Sequence, residues 1–333
     1  SMTSPKAEKA SCVRTSARSS KLFVSNIPFH FFTGVYLNRI KGPTLTIPTT
    51  EATKIIDVPI TTDSSEDKSG WMASLELEFE SRQGLTRMTR SQHCGPLRVQ
   101  RAFQETDGSC HVYMLHPPGG VVAGDELAIN VVAHKDTHAV LTTPAAGKFY
   151  RVLANKQPQI QKNILLVKSG GLMEWLPQET IFFRDVNARM ETHIQLEGSG
   201  QFVGWEINCL GRQASGETFD AGTVRQELNV SRDGKLLHRE MVRLQAGANN
   251  PLQQSRWGLA DQNVFGTLVA VLPFELMGYE EYSAVTLQEQ LMDMLSRDTA
   301  APYWGVTLKS GVVLVRYLGP SGQRCREGFS AIR

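Results

Sequence analysis

From Trp71 the chain alternates with a period of two. Trp71, Ala73, Leu75, Leu77 and Phe79 are apolar, and Met72, Ser74, Glu76, Glu78 and Glu80 stand between them. Successive side chains of a strand point to opposite faces, so the pattern predicts a strand with one buried face. Similar alternation recurs at Leu97 to Arg101, Met190 to Leu196, Val203 to Cys209, Val224 to Val230 and Val313 to Tyr317, with Gly, Asn, Asp or Pro between most segments. Many short strands without helix-length amphipathic segments between them argue against a doubly wound α/β sheet. They predict a mainly β protein, whether a sandwich, a barrel or a coil of strands. One helix stands out, from Ser283 to Arg297: Leu287, Leu291 and Leu295 recur at four-residue spacing, and Thr286 and Glu289 have capping-box spacing. A weaker helical pattern covers Asn249 to Val264 and is interrupted by Pro251 and Gly258. Val306 to Leu318 predicts a closing hairpin that turns at Lys309-Ser310-Gly311.

Between His111 and Arg151 two predicted strands flank a turn, His116-Pro-Pro-Gly119-Gly120-Val-Val-Ala-Gly-Asp125, with the second strand from Leu127 to Ala133. Proline fixes φ and glycine permits positive φ, so the loop can hold a defined shape and leave backbone amides uncovered, as a docking or binding loop would.

Residues 1–69 have a different texture. The first 21 residues carry five basic residues, Lys6, Lys9, Arg14, Arg18 and Lys21, against the single acid Glu8, among many serines; Pro28, Pro43, Pro48 and Pro59 follow. This composition reads as a flexible or extended N-terminal extension, with an organelle address as the alternative. Over all 333 residues the net charge is only +2, which gives no general reason to expect nucleic acid or an anionic membrane as partner. The five cysteines are odd in number and form no Cys-x-x-Cys pair, which fits a reducing, cytoplasmic setting better than a disulfide framework. No run of apolar residues is long enough for a transmembrane helix.

Three kinds of chemistry are worth weighing. His93-Cys94 and Cys110-His111 offer sulfur and imidazole, but neighbours in a strand face opposite ways and grip one ion poorly. Asp125, Glu174, Glu179, Asp185 and Glu206 lie in or beside apolar runs, where a charge needs a partner or water. They are either ion pairs, with Arg151, Arg184 and Arg212 as available partners, or the lining of a polar conduit. Ala145-Ala-Gly147-Lys148 fails as a phosphate loop, because Thr142 stands where its first glycine belongs and Phe149 follows the lysine. No nucleophile with a base at motif spacing is present.

An ordered series of blocks carries a resemblance. It comprises Gly70-Trp71-Met-Ala-Ser-Leu75-Glu-Leu77, His93-Cys-Gly95-Pro-Leu-Arg98-Val-Gln-Arg101, Cys110 through His116-Pro-Pro-Gly-Gly to Asp125, and Thr142-Thr-Pro to Lys148-Phe-Tyr-Arg151. It continues with Leu172-Met-Glu174-Trp-Leu-Pro-Gln-Glu179-Thr-Ile, Gly204-Trp-Glu206, Cys209-Leu-Gly-Arg212 and Gly216-Glu217-Thr-Phe219. From Gly70 to about Leu318 the chain resembles the urease accessory protein family UreD, called UreH in some bacteria.

The resemblance implies an assembly factor rather than an enzyme. Such a protein binds the urease apoprotein and, with UreF and the GTPase UreG, promotes insertion of nickel into the urease active site. It implies a domain of residues 70–333 folded as a β-helix-like stack of strands with a small helical layer near the C-terminus, and an internal polar passage for the metal. On that reading Asp125, Glu174, Glu179, Glu206, Cys209 and His116 are transient nickel contacts, and no cofactor is stably bound. Gly119, Gly120, Tyr150, Arg151 and Arg212 then shape the passage or an interface. The alternative is a passive scaffold that positions UreF and opens urease while nickel travels elsewhere; a β-helix enzyme acting on polysaccharide is a third reading. Family members usually continue past the last strands with a Trp and an Arg-Pro near a Pro-Arg-Ile-Trp ending. This chain stops at Phe329-Ser-Ala-Ile-Arg333, so it is expected to be short at that end.

Overall fold

The computed structural model describes residues 70–152, 157–247, 251–271, 281–296 and 304–333; the predicted extension of residues 1–69 lies outside them. Strand β1 (Met72–Arg82) turns through Gln83-Gly84, both at positive φ, into β2 (Leu85–Cys94). The alternation is realised from Ala73 onward, with Ala73, Leu75, Leu77 and Phe79 buried, whereas Trp71 ahead of the strand is exposed. Two-residue strands β3 (Arg98–Val99) and β4 (Phe103–Gln104) then pair with β5 (Cys110–Leu115).

From β5 onward the chain alternates between two sheets. Strands β6 (Glu126–Ala133), β9 (Gln159–Val167), β12 (Val186–Leu196) and β14 (Gly222–Arg232) build the first sheet, each parallel to the one before, with β1 parallel to β6. Strands β7 (His138–Thr142), β10 (Leu172–Leu176) and β13 (Gln201–Leu210) continue the second sheet in parallel beside β5. Short strands β8 (Gly147–Phe149) and β11 (Thr180–Phe182) join it at one end. Antiparallel strands finish both layers: β15 (Lys235–Gln245) on β14, then β16 (Val264–Val271), β17 (Trp304–Lys309) and β18 (Val312–Gly319) on the second sheet. Among the described residues the order is β15-β14-β12-β9-β6-β1-β2 in the first sheet and β17-β18-β16-β13-β10-β7-β5-β3 along the second. The apolar core, including Leu75, Phe79, Leu141, Leu165, Phe182 and Leu210, lies between them.

Helix α1 (Glu281–Ser296) matches the predicted helix within two residues, and its Leu291 and Leu295 are buried. The helical pattern at 249–264 shrinks to one turn, Pro251–Gln254, before β16 begins. The predicted hairpin forms, with Ser310 and Gly311 at positive φ between β17 and β18. A second helix was not anticipated: α2 (Gly322–Ile332), capped by Ser321, whose side chain accepts from the Arg324 amide. It buries Cys325, Phe329 and Ile332 on the outer face of the second sheet, and Phe329 stacks near Trp205 and Trp304. Gly266 makes this seat, since a Cβ there would stand 2.5 Å from Cys325 Sγ. The helix also corrects the reading of Val203 to Cys209 as a strand with one buried face. Phe202 to Asn208 are buried without a break, because the first sheet covers one side of β13 and α2 the other.

Candidate functional site

Glu206 projects from β13 into the space between the sheets. Its Oε1 accepts a 2.5 Å hydrogen bond from Thr192 Oγ1 of β12, and its Oε2 accepts from the Gln226 amide of β14. Asn208 donates to Gln226 Oε1 at 3.0 Å, and Asn163 of β9 donates to Thr192 at 3.0 Å, so a buried polar line crosses an otherwise apolar interior. Beside Glu206 lies a small cavity bounded by Thr192, Phe202, Gly204, Leu228 and Val269, with room for about one water molecule. Burial pushes the Glu206 carboxyl above its ordinary range, outweighing the Thr192 and Gln226 hydrogen bonds. The line continues towards the rim, where Thr267 donates to Glu240 at 3.2 Å and Arg316 pairs with Glu240.

Glu174 is equally buried but faces the other way. Its neighbours Met173 and Trp175 enter the core, so Glu174 projects from the outer face of the second sheet under α2. His138 Nε2 lies 2.6 Å from its Oε1, and the Arg333 guanidinium pairs with Oε2, although not as an aligned hydrogen bond. Burial raises the Glu174 carboxyl, but the His138 hydrogen bond and the Arg333 charge outweigh it and hold the group below the usual range. Glu179 and Cys209 lie near the first turn of α2, where a Cβ on Gly322 would touch both. Arg326 of the helix grips Glu179 Oε2 and Gln178 Oε1, both at 2.6 Å. Burial and the Glu179 carboxylate push the Cys209 thiol up to about 12, which leaves it protonated and a poor metal ligand.

Asp125 and His116 belong to the Pro-Gly loop. Asp125 accepts from the Trp71 and Val122 amides, both at 2.9 Å, so it staples the loop to the start of β1. Burial lowers the His116 pKa, and its buried Nε2 finds no hydrogen-bond partner among the described residues. At the loop's glycines, four residues named from the sequence meet in one column: Gly119 and Gly120 under Tyr150, Tyr150 edge-on to Phe183 at 4.9 Å, and the Arg212 guanidinium 4.7 Å from the Phe183 ring. Arg151 is exposed outside that column. Gly120 is required there, because a Cβ would fall 2.4 Å from the Tyr150 ring and 2.9 Å from the Lys148 carbonyl oxygen. Gly120→Ala is expected to destabilise the protein by about 1–3 kcal/mol through this overpacking, read as a lowered melting temperature.

The six proposed nickel contacts fall in three places in the fold. Glu174, Glu179 and Cys209 are under α2, Glu206 is on the opposite face of the same sheet, and Asp125 and His116 are in a loop. The cationic partners agree only in part with those read in the sequence. Arg184 pairs with Asp185 at 3.8 Å and with Asp220 at 2.9 Å, and Arg212 pairs with Glu217, while His138 and Arg333 contact Glu174 and Arg326 pairs with Glu179. His93 contacts Arg98, Cys94 is exposed and Cys110 buried, and no group of three or more His, Cys, Asp or Glu side chains among the described residues is arranged to hold a metal ion. No helix of the described residues is long and apolar enough to cross a membrane.

Sequence reasoning missed Asn163, Thr192, Asn208 and Gln226. Their signal is a polar residue in the buried phase of an alternating strand, as where Thr192 falls between Met190 and Ile194.

Comparison with known proteins adds a separate finding. Residues 72–333 match the family model described as UreD urease accessory protein. The chain is 40% identical over 263 residues to a urease accessory protein UreD of Saccharophagus degradans, covering 79% of this chain and 86% of that protein. It is 39% identical over 264 residues to a urease accessory protein UreD of Escherichia coli, covering 79% and 90%. A third similar protein, the urease accessory protein UreD of Chromohalobacter salexigens, is 41% identical over 276 residues, covering 79% and 84%.

Proposed function

Because the chain belongs to the UreD family of urease accessory proteins, we propose that it serves urease maturation as the subunit that binds the urease apoprotein and, with UreF and the GTPase UreG, delivers nickel to the urease active site. In this role nickel is cargo, and the protein itself carries out no covalent chemistry. The observation that carries the delivery reading is the buried line through Glu206. A carboxylic acid, three amides and a hydroxyl in a core otherwise filled by apolar side chains cost folding free energy, and a polar route is a use that would retain them.

Along the buried part of such a route Thr192, Asn163 and Asn208 supply neutral oxygens and Glu206 the group that can carry charge, with Glu240 and Arg316 at the rim. A divalent cation approaching Glu206 would favour its ionised form, so entry is accompanied by release of a proton. Glu174, Glu179 and Cys209 have no part in this route. The first two are neutralised by α2 and the third holds its proton, so they fasten the helix to the sheet. The closed state of the line, with both Glu206 oxygens engaged and space for about one water, favours the passive scaffold as second reading.

The test of the maturation role is reconstitution. Apo-urease with UreF, UreG, GTP and nickel is expected to gain urease activity only when this protein is added. Equal activation without it would refute the assignment.

A further inference from the structure

Neighbouring strands set three arginines side by side on the outer face of the first sheet. Arg189 of β12 lies opposite Arg225 of β14 in the parallel pair, and Arg225 lies opposite Arg243 of β15 in the antiparallel pair. Like charges directly opposite each other destabilise a sheet, and the chain offers the row little relief. Arg189 reaches Glu191 along its own strand. Arg225 and Arg243 have no ion pair and no side-chain hydrogen bond among the described residues. Other charges on this face are balanced internally: Arg239 pairs with Glu227, and Arg90 bridges Glu76 and Glu78.

Followed across the sheet in register, the row continues through Ile160 of β9 and Glu126 of β6 to Met72 of β1. Met72 is 48% exposed and the adjacent Trp71 58%. The band crosses six strands, about 24 Å at the usual strand spacing. It has arginines at one end and the exposed Met72 side chain at the other. Helices α1 and α2 pack on the second sheet, not on this face.

We propose that this band is a docking surface for a protein partner, its arginine end holding an acidic segment and its apolar end a hydrophobic anchor. Guanidinium forks match carboxylates in pairs, and Met and Arg are among the residue types enriched in protein interfaces. A nucleic acid fits less well. The row beside the arginines carries Glu191 and Glu227, and the net charge of +2 gives no broad basic field. The inference rests on the chain working inside a protein assembly and not on any route for nickel.

The experiment compares the full chain with its Arg225→Gln/Arg243→Gln variant for binding to immobilised apo-urease and to immobilised UreF, with a short DNA duplex as polyanion control. Expected is a loss of about ten-fold or more in affinity for one of the two proteins, with wild-type affinity for that protein falling as salt rises. The melting temperature of the free variant should be unchanged or raised, because the like-charge row is relieved. A lowered melting temperature alongside weaker binding would mark the row as structural and overturn the proposal. Unchanged affinity for both proteins would also overturn it, as would arginine-dependent binding to the duplex in their place. Wild-type protein that binds neither partner would sink the maturation reading together with this surface, whereas a variant that binds as well as wild type sinks the surface alone.

Discussion

Glu206→Gln is expected to slow urease activation in the reconstituted assay by about ten-fold or more while leaving binding to UreF and apo-urease intact. Glutamine keeps the size of the side chain and can still accept from Thr192, but it cannot become an anion. A divalent cation that has shed water inside the core then loses the carboxylate at the buried centre of the line, and changes of this kind in metal surroundings typically cost about 10–100-fold. Stability should move differently. Burial raises the folded-state pKa of Glu206 above its ordinary 4.5, so the folded protein holds a proton that the unfolded chain releases. Stability linked to that proton is fully present below the ordinary value and fades as pH rises through the raised one. Thermal melts from acidic to neutral pH should therefore show a declining component in the wild type that Glu206→Gln lacks. Activation at the wild-type rate would leave the passive scaffold as the better account.

Glu174→Ala should act on the fold. Its carboxylate is fully buried between His138 and Arg333, and removing one partner of such a group leaves the others desolvated without compensation, at a cost of about 3–5 kcal/mol. For a body of this size the melting temperature should fall by roughly 10 °C. The pH dependence has the opposite sign to that of Glu206. The His138 bond and the Arg333 charge overcome the burial that would raise Glu174, and its folded pKa lies below 4.5. The associated stability is present above 4.5 and disappears as pH falls through the lowered value, so the variant and wild type should converge in acid. Adding Arg333→Ala to Glu174→Ala should cost less than the sum of the two single changes, since each has already lost the same pair. A Glu174→Ala protein that melts with the wild type would show that the pair under α2 does not hold the helix.

The strands were legible because their alternation is local. Ala73, Leu75, Leu77 and Phe79 declare a buried face without reference to anything distant, and Leu291 and Leu295 do the same for α1. That Glu174 and Glu206 are buried was legible too, from the apolar residues around them. Which face each occupies was not. β13 is covered on both sides, so its composition does not reveal which phase meets the first sheet and which meets α2. Partners were harder still: Arg326 meets Gln178 across 148 positions of sequence, and no local pattern encodes such a pairing. The spacing of Cys325, Phe329 and Ile332 behind Ser321 was the available sign of α2. The arginine row needs strand register, which emerges only once the sheet is assembled.

The parallel run β1-β6-β9-β12-β14 is flanked on each side by an antiparallel strand, β2 at one end and β15 at the other. An uncapped parallel edge is a template on which another chain can add, and repetition of that step yields fibres. Here the outermost strands carry Arg87 and Arg90 on one side and Lys235, Arg239 and Arg243 on the other, and cationic edges resist such recruitment. The two hairpins thus fix the width of the sheet at a finite number of strands. Trimming away β15 would convert a self-limited particle into one with a sticky margin, prone to end-on polymerisation.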